Sequence, residues 1–197
     1  MGSIGAIILA AGESKRMGFP KMLLPLNGKT MLENVIRNVE GSDVEDILVI
    51  LGGGPETLKE IVNNSSAKYC FNENYTSGML SSVQCGFRNL TADVDAILVF
   101  QGDQPLITAA IVNKVIEVYR AADKGIVIPT YNKKRGHPIL IDKKYRNEIE
   151  KLDAREGLRS LSSLVPDDVL EIETNSAGIL RDFDTYHDYE TEINKIQ

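Results

Sequence analysis

Ile4-Gly5-Ala6-Ile7-Ile8-Leu9-Ala10-Ala11-Gly12-Glu13-Ser14-Lys15-Arg16-Met17-Gly18-Phe19-Pro20-Lys21 opens the chain after three residues. An apolar run rich in isoleucine ends in a loop of small residues. That loop carries glycines at 12 and 18 and cations at 16 and 21. Glycine takes φ > 0 freely and lets a backbone come close to a ligand. Backbone N–H groups in such a loop, with two cations beside them, form a site for a polyphosphate.

Two other glycine-bearing stretches do not complete a phosphate motif. Gly28-Lys29-Thr30 resembles the end of a P-loop, but position 23 is Leu where the first glycine belongs. Gly52-Gly53-Gly54 follows a second apolar run, yet position 57 is Thr, so no dinucleotide fingerprint forms.

Working outward from the loop, strand-like apolar runs alternate with helix-period segments. The first strand is Ile4 to Ala10. Thr30 to Val39 reads as a helix with Thr30 as N-cap and Glu33 three residues on, the spacing of a capping box. Strands are expected at 46–51, 68–71, 96–100, 125–128, 138–141 and 169–173. Helices are expected at 55–62, 79–89, 108–122, 145–152, 156–164 and 187–196. This is an α/β pattern: a Rossmann-like, doubly wound, mostly parallel sheet with helices on both faces. Continuous Ile-Leu-Val runs suit strands covered on both sides. Such sheets bind ligands at the carboxyl ends of their strands. The loops after the first and fourth expected strands, which carry Gly12, Arg16, Lys21 and Asp103, should therefore meet in one crevice. The whole chain, 1–197, reads as one domain, with an excursion from the sheet around residues 131–166.

The 197 residues suffice for one domain with a real core. Hydrophobic content of 43% and charged content of 25% are those of an ordinary soluble globular protein. A formal net charge of −6 argues against a nucleic-acid surface and against a polybasic membrane contact. Lys133-Lys134-Arg135 is the only tight basic run and falls in an expected turn. Cys70 and Cys85 form no Cys-x-x-Cys pair, which excludes a zinc ribbon or redox motif and fits a reducing, cytoplasmic location. The N-terminal apolar run is too short to span a bilayer.

Among the remaining residues, Asp103 sits just past an apolar strand, where a carboxylate can hold a magnesium ion. Mg²⁺ takes one or two carboxylates plus phosphate oxygens and water. A second carboxylate is offered by Leu180-Arg181-Asp182-Phe183-Asp184-Thr185. Asp182 and Asp184 are read as pointing to opposite faces, so that only one meets the site, while Asp184 could instead cap the final helix. Gly78-Met79-Leu80-Ser81-Ser82 begins a helix. Its serines could bind a base edge or ribose, or simply bond the local backbone. His137, in Arg135-Gly136-His137-Pro138, could act as a base or touch an acceptor, or be structural. His187 reads as solvated, and neither histidine has a partner at zinc spacing. Ser14 lacks the Gly-x-Ser-x-Gly context of a hydrolase nucleophile.

Taken in order, Leu9-Ala10-Ala11-Gly12, Ser14, Arg16, Met17-Gly18, Pro20-Lys21, Gly78-Met79 with Ser81-Ser82, Gly102-Asp103-Gln104-Pro105, Gly136-His137-Pro138 and Asp182-Phe183-Asp184-Thr185 resemble the motifs of the MobA-like nucleotidyltransferases. The resemblance runs from Ile4 to about Tyr189. Ala10-Ala11 before Gly12 and the Gly-Asp-Gln-Pro motif resemble the molybdenum cofactor cytidylyltransferases rather than the guanylyl-transferring branch. Tyr186-His187 and Phe183 depart from the usual Pro-Glu and Ile.

The resemblance implies transfer of CMP from CTP to the phosphate of a molybdopterin acceptor, with release of pyrophosphate. It further implies catalytic roles for Arg16, Lys21 and Asp103, and nucleotide contacts at Leu9, Ala10, Ala11, Gly12, Gly78 and Ser82. His137 would lie on the acceptor side. Mg²⁺ would be held by Asp103 and Asp182, with Asp184 as the alternative. Expected partners are CTP, a molybdopterin-type acceptor and, transiently, a molybdoenzyme or chaperone, with no nucleic acid and no membrane. The alternatives are guanylyl transfer to the same cofactor, transfer to another small phosphate, and a non-catalytic protein that carries cofactor.

Overall fold

The computed structural model describes residues 2–15, 17–90 and 93–196, with side chains through residue 191. β1 (Ile4–Leu9) runs into the glycine loop. A small hairpin, β2 (Pro25–Leu26) and β3 (Lys29–Thr30), then leads to α1 (Met31–Glu40). Next come β4 (Asp46–Leu51), α2 (Thr57–Asn63), β5 (Lys68–Phe71), α3 (Met79–Asn89), β6 (Ala96–Gln101), α4 (Ala109–Ala121) and β7 (Ile126–Tyr131). The chain finishes with β8 (Lys134–Arg135), β9 (Ile139–Asp142), α5 (Arg146–Lys151), α6 (Arg159–Leu164), β10 (Val169–Glu173) and α7 (Tyr186–Ile196).

The main sheet has the order β10-β7-β9-β6-β1-β4-β5, with β8 paired to β7. β1 lies at its centre, parallel to β4 on one side and to β6 on the other. β9 alone on that path runs antiparallel, between β6 and β7. The expected mostly parallel α/β sheet is therefore present. Of the stretch 131–166, residues 139–142 re-enter the sheet as β9, while α5 and α6 cover a face through Ile149 and Leu161.

Alternation along β1 sorts the core into two layers. Ile4, Ala6 and Ile8 pack with Leu32, Val35 and Ile36 of α1, Leu58 and Val62 of α2, and Val112, Val115 and Ile116 of α4. Ile7 and Leu9 face the other way, onto Leu80, Val83 and Phe87 of α3. Successive strand side chains point to opposite faces, so an unbroken apolar run is what a sheet covered on both sides needs. α1 starts as expected: Thr30 Oγ1 accepts from the Glu33 N–H at 3.2 Å, and the Glu33 carboxylate accepts from the Thr30 N–H at 2.6 Å. Thr108 stands at the N-cap of α4 but makes no side-chain cap bond. The β2–β3 turn was not anticipated. Asn27 and Gly28 take φ of 51° and 75°, the positive values of a two-residue hairpin.

Candidate functional site

The end of β1 and the end of β6 lie side by side, Leu9 opposite Gln101. There the chain turns into the glycine loop on one side and Gly102-Asp103 on the other. A cleft of about 220 Å³ opens at this point, walled by Leu9, Ala11, Gly12, Lys21, Gly78, Ser82 and Asp103 among others. Seven residues singled out in the sequence thus share one cavity. Ala10 lies directly beneath, fully buried, its N–H bonded to Ile50 O at 2.9 Å. Arg16 lies outside the described residues.

Local bonds shape the loop. Ser14, at φ 55°, accepts with its backbone oxygen from the Met17 N–H at 3.0 Å and the Gly18 N–H at 3.2 Å. Its hydroxyl accepts from the Lys21 N–H at 3.1 Å. Ser14 is thus a fastener that seats Lys21. No described residue accepts a hydrogen bond from the Ala11 or Gly12 N–H. A side chain added at Gly12 would meet nothing within 4 Å, so this stretch of backbone faces open space in the cleft. Gly52-Gly53-Gly54 has a packing role. A Cβ at Gly53 would lie 2.5 Å from Glu13 and 2.6 Å from Tyr75, which a side chain there would displace.

Lys21 is the electrostatic centre. Its ammonium bonds Asp103 Oδ2 and, at 3.2 Å, Asp184 Oδ1. Burial opposes its charge, but Asp103 first and then Asp184 outweigh that and hold its pKa above the usual lysine range. Asp182 lies in the same field. Loss of solvent, then the charges of Asp184 and Asp103, push its carboxyl above the usual carboxylate range.

The expectation that Asp182 and Asp184 point to opposite faces is therefore corrected. Residues two apart in extended chain share a face. The residue turned away is Phe183, buried against Met17, Leu24, Met31 and Tyr189. Two other residues cap the last helix. Thr185 and Asp188 do so reciprocally, the Asp188 N–H to Thr185 Oγ1 at 3.2 Å and the Thr185 N–H to Asp188 Oδ2 at 2.8 Å.

α3 points its N-terminus at the cleft, starting from Gly78 at φ 103°. Aligned peptide dipoles make that end favourable for negative charge. Ser82 lines the cleft. Ser81 is occupied locally, its hydroxyl within 2.8 Å of Gly78 O and 2.9 Å of Asn74 O.

His137 borders a second cavity of about 440 Å³, between β7, β9 and α6. Ile126, Ile128, Ile139, Ile141, Leu158 and Leu161 give it an apolar lining, and Lys134, Arg135 and Arg159 add cations. Gln101 stands between His137 and the first cavity. It lines the first, and its amide nitrogen lies 3.4 Å from both ring nitrogens of His137. Burial drives the imidazole pKa down to about 4; Asp103 opposes this and Arg159 adds to it. His137 is therefore neutral at pH 7. Lys134 and Arg135 form β8 rather than a bare turn, and Arg135 pairs with Glu171 at 2.6 Å. His187 is exposed, as expected.

Gln101, Tyr75, Arg159 and Asn72 were not singled out in the sequence. Gln101 had the one legible signal, a polar residue closing an apolar strand directly before Gly102-Asp103.

Comparison with known proteins gives the family. The MobA-like NTP transferase domain matches residues 6–169. The molybdenum cofactor cytidylyltransferase of Escherichia coli (strain K12) is 30% identical over 191 residues, covering 97% of this chain and 96% of that protein. The crystal structure of Rv0371c from Mycobacterium tuberculosis H37Rv superimposes with a TM-score of 0.86 at 24% identity, covering 98% of each chain. Its manganese complex gives 0.79 at 23%, again over 98% of each chain. CMP:2-keto-3-deoxy-manno-octonic acid synthetase complexed with CTP gives 0.77 at 14%, also over 98% of each chain. The match over most of the chain and the similarity along nearly its whole length carry one conclusion: the chain belongs to the MobA-like NTP transferase family and is a nucleotidyltransferase.

Proposed function

We propose that the protein transfers CMP from CTP to the terminal phosphate of a molybdopterin-type acceptor and releases pyrophosphate. The observation that carries this reading is the contact between Gln101 of the first cavity and His137 of the second. The first cavity has the glycine loop, Lys21 and the α3 N-terminus for a triphosphate. The second joins an apolar lining to cations, which suits a phosphate on a flat heterocyclic body better than a sugar phosphate rich in hydroxyls. The similarity to the Escherichia coli cytidylyltransferase supports the same choice.

Phosphoryl transfer asks little covalent chemistry of a protein and much positioning and charge neutralisation. In this reading the amides of Ala11 and Gly12 receive phosphate oxygens. Arg16 and Lys21 clamp the triphosphate and steady the departing pyrophosphate. Lys21 leaves Asp103 and Asp184 to do so. Neutral His137 and Arg159 place the acceptor phosphate, whose own negative charge makes a general base unnecessary.

Asp103 with Asp182 or Asp184 fits a divalent cation, since carboxylates already gathered around one ammonium are a hard oxygen set. A magnesium ion held there would neutralise charge on the phosphates. Two free thiols and the absence of a helix long and apolar enough to cross a membrane, among the described residues, are consistent with work in the cytoplasm.

The test is pyrophosphate release from CTP with a molybdopterin acceptor, set against a sugar phosphate and no acceptor. Release dependent on the pterin supports the assignment. Release with the sugar phosphate alone moves the protein to another acceptor class, and nucleotide binding with no release under any condition favours a carrier.

A further inference from the structure

Cys70 and Cys85 are the only cysteines of the chain, fifteen residues apart. No sequence motif pairs them, yet the fold does. Cys70 is the third residue of β5 and lies half-buried on the face of the sheet that α3 covers. Cys85 is buried on α3, in the same apolar cluster. Both are free thiols, and their Sγ atoms are 3.6 Å apart. The Asn89 amide donates to Cys85 Sγ at 3.6 Å, and the Cys85 thiol reaches Phe71 O at 3.8 Å. The transfer reaction uses neither sulfur.

A disulfide holds its sulfurs about 2.05 Å apart, so closure asks for an approach of about 1.5 Å shared between two side chains. The partner thiol is in place before any oxidant arrives, which gives the closing step the advantage of an intramolecular reaction. Cys70 is the member that a small oxidant can reach. Burial, then the Cys85 sulfur, pushes its thiol up to about 12, and Arg88 opposes this. Cys70 therefore rests as the thiol at neutral pH. The pair stays open in reducing surroundings and closes slowly under sustained oxidant. The segment that a bridge would span, 71–84, carries Tyr75, Gly78, Met79 and Ser82, all of which wall the first cavity.

We propose that Cys70 and Cys85 form a reversible disulfide site, closed by a hydroperoxide, that fastens the β5–α3 connection along the wall of the first cavity. In the first step Cys70 Sγ, as the thiolate, attacks the O–O bond of hydrogen peroxide. Water leaves, carrying the thiol proton, and Cys70 becomes a sulfenic acid. In the second step Cys85 Sγ attacks Cys70 Sγ. The S–S bond forms, the S–O bond breaks, and the hydroxide leaves as water with the Cys85 proton. Two thiols supply two electrons, and one peroxide becomes two waters. A dithiol reductant reverses the bridge. None of this depends on which nucleotide or acceptor the enzyme takes.

The experiment treats purified wild type, Cys70→Ala and Cys85→Ala with hydrogen peroxide and reads unreduced peptide masses over time. The wild type should yield one linked peptide pair containing Cys70 and Cys85, two hydrogens lighter than its parts and lost on adding dithiothreitol. Its melting temperature should rise by roughly 5–10 °C, the scale of closing a loop of this length, and fall back with dithiothreitol. Amide exchange across 71–84 should slow in the bridged form. Cys70→Ala should show neither the pair nor the rise, while sharing any methionine oxidation. Cys85→Ala should stop at the Cys70 sulfenic acid, which dimedone traps. Thiols that stay free, or gain oxygen without a linked pair, or link two chains, overturn the site. A bridge that forms with no reversible rise in melting temperature and no slowed exchange overturns the fastening role.

Discussion

At the residue scale, Lys21 and His137 carry the argument. Lys21 sits with its ammonium against Asp103 and Asp184, with Asp182 close by. Replacing Lys21 by Ala removes one preorganised charge from the proposed triphosphate site. Turnover should fall roughly a hundredfold or more, read as steady-state pyrophosphate release. A near-normal rate would take Lys21 out of the chemistry.

His137 gives a pH prediction. Its folded pKa of about 4 lies below the ordinary histidine value near 6.5. Between those values the unfolded chain binds a proton that the folded chain refuses. This contribution is therefore fully present above pH 6.5 and is lost as pH falls toward 4, by at most about 3 kcal/mol. His137→Gln should flatten the acid limb of stability in denaturant titrations across that window. An unchanged limb would mean the imidazole is not desolvated.

Much of this scale was legible. The loop, Asp103, Gly78 and Ser82 each declare a chemistry by type and neighbourhood. Asn72 did not, because its role is a set of bonds to residues nine and ten positions away. The pair around Phe183 was misjudged because residues two apart in extended chain share a face, which places both carboxylates on the Lys21 side.

At the element scale, α1 shows how local signals fix a boundary. Thr30 and Glu33 satisfy one another's backbone N–H groups, and Leu32, Val35, Ile36 and Val39 bury one face. Thr30→Ala should cost about 1 kcal/mol, lowering the melting temperature by roughly 2–4 °C without touching the site. A larger loss, or lost nucleotide affinity, would tie the cap to the glycine loop through the β2–β3 hairpin. That hairpin had a signal, Asn27-Gly28 directly after Leu26, which a comparison with the P-loop obscured. β9 had none. Its run of Ile139, Leu140 and Ile141 marks a strand, but nothing local dictates insertion between β6 and β7, antiparallel to both. Pairing partners far apart in sequence are set by the whole sheet, and that is why 131–166 read as an excursion. The insertion matters, because it delivers His137 beside Gln101 at the end of β6.

At the scale of the whole molecule, the fold brings the ends of β1 and β6, the start of α3 and the approach to β9 to one edge of one sheet. Sequence periodicity was enough to predict that edge, since apolar runs buried on both faces leave only the strand ends for function. The shape of the second cavity was not predictable, because α6 closes it over β7 and β9, and nothing local in the sequence of α6 says where it docks. The central claim is that this edge holds a nucleoside triphosphate and prefers cytosine.

The most direct measurement is the melting temperature of the purified protein with CTP, GTP, ATP or UTP, each with Mg²⁺. A ligand at a hundred times its dissociation constant adds about 2.7 kcal/mol, a rise of roughly 5–10 °C for a chain of this size. The account predicts the largest rise with CTP, lost in Lys21→Ala. No rise with any of the four, or an equal rise in wild type and Lys21→Ala, would contradict it.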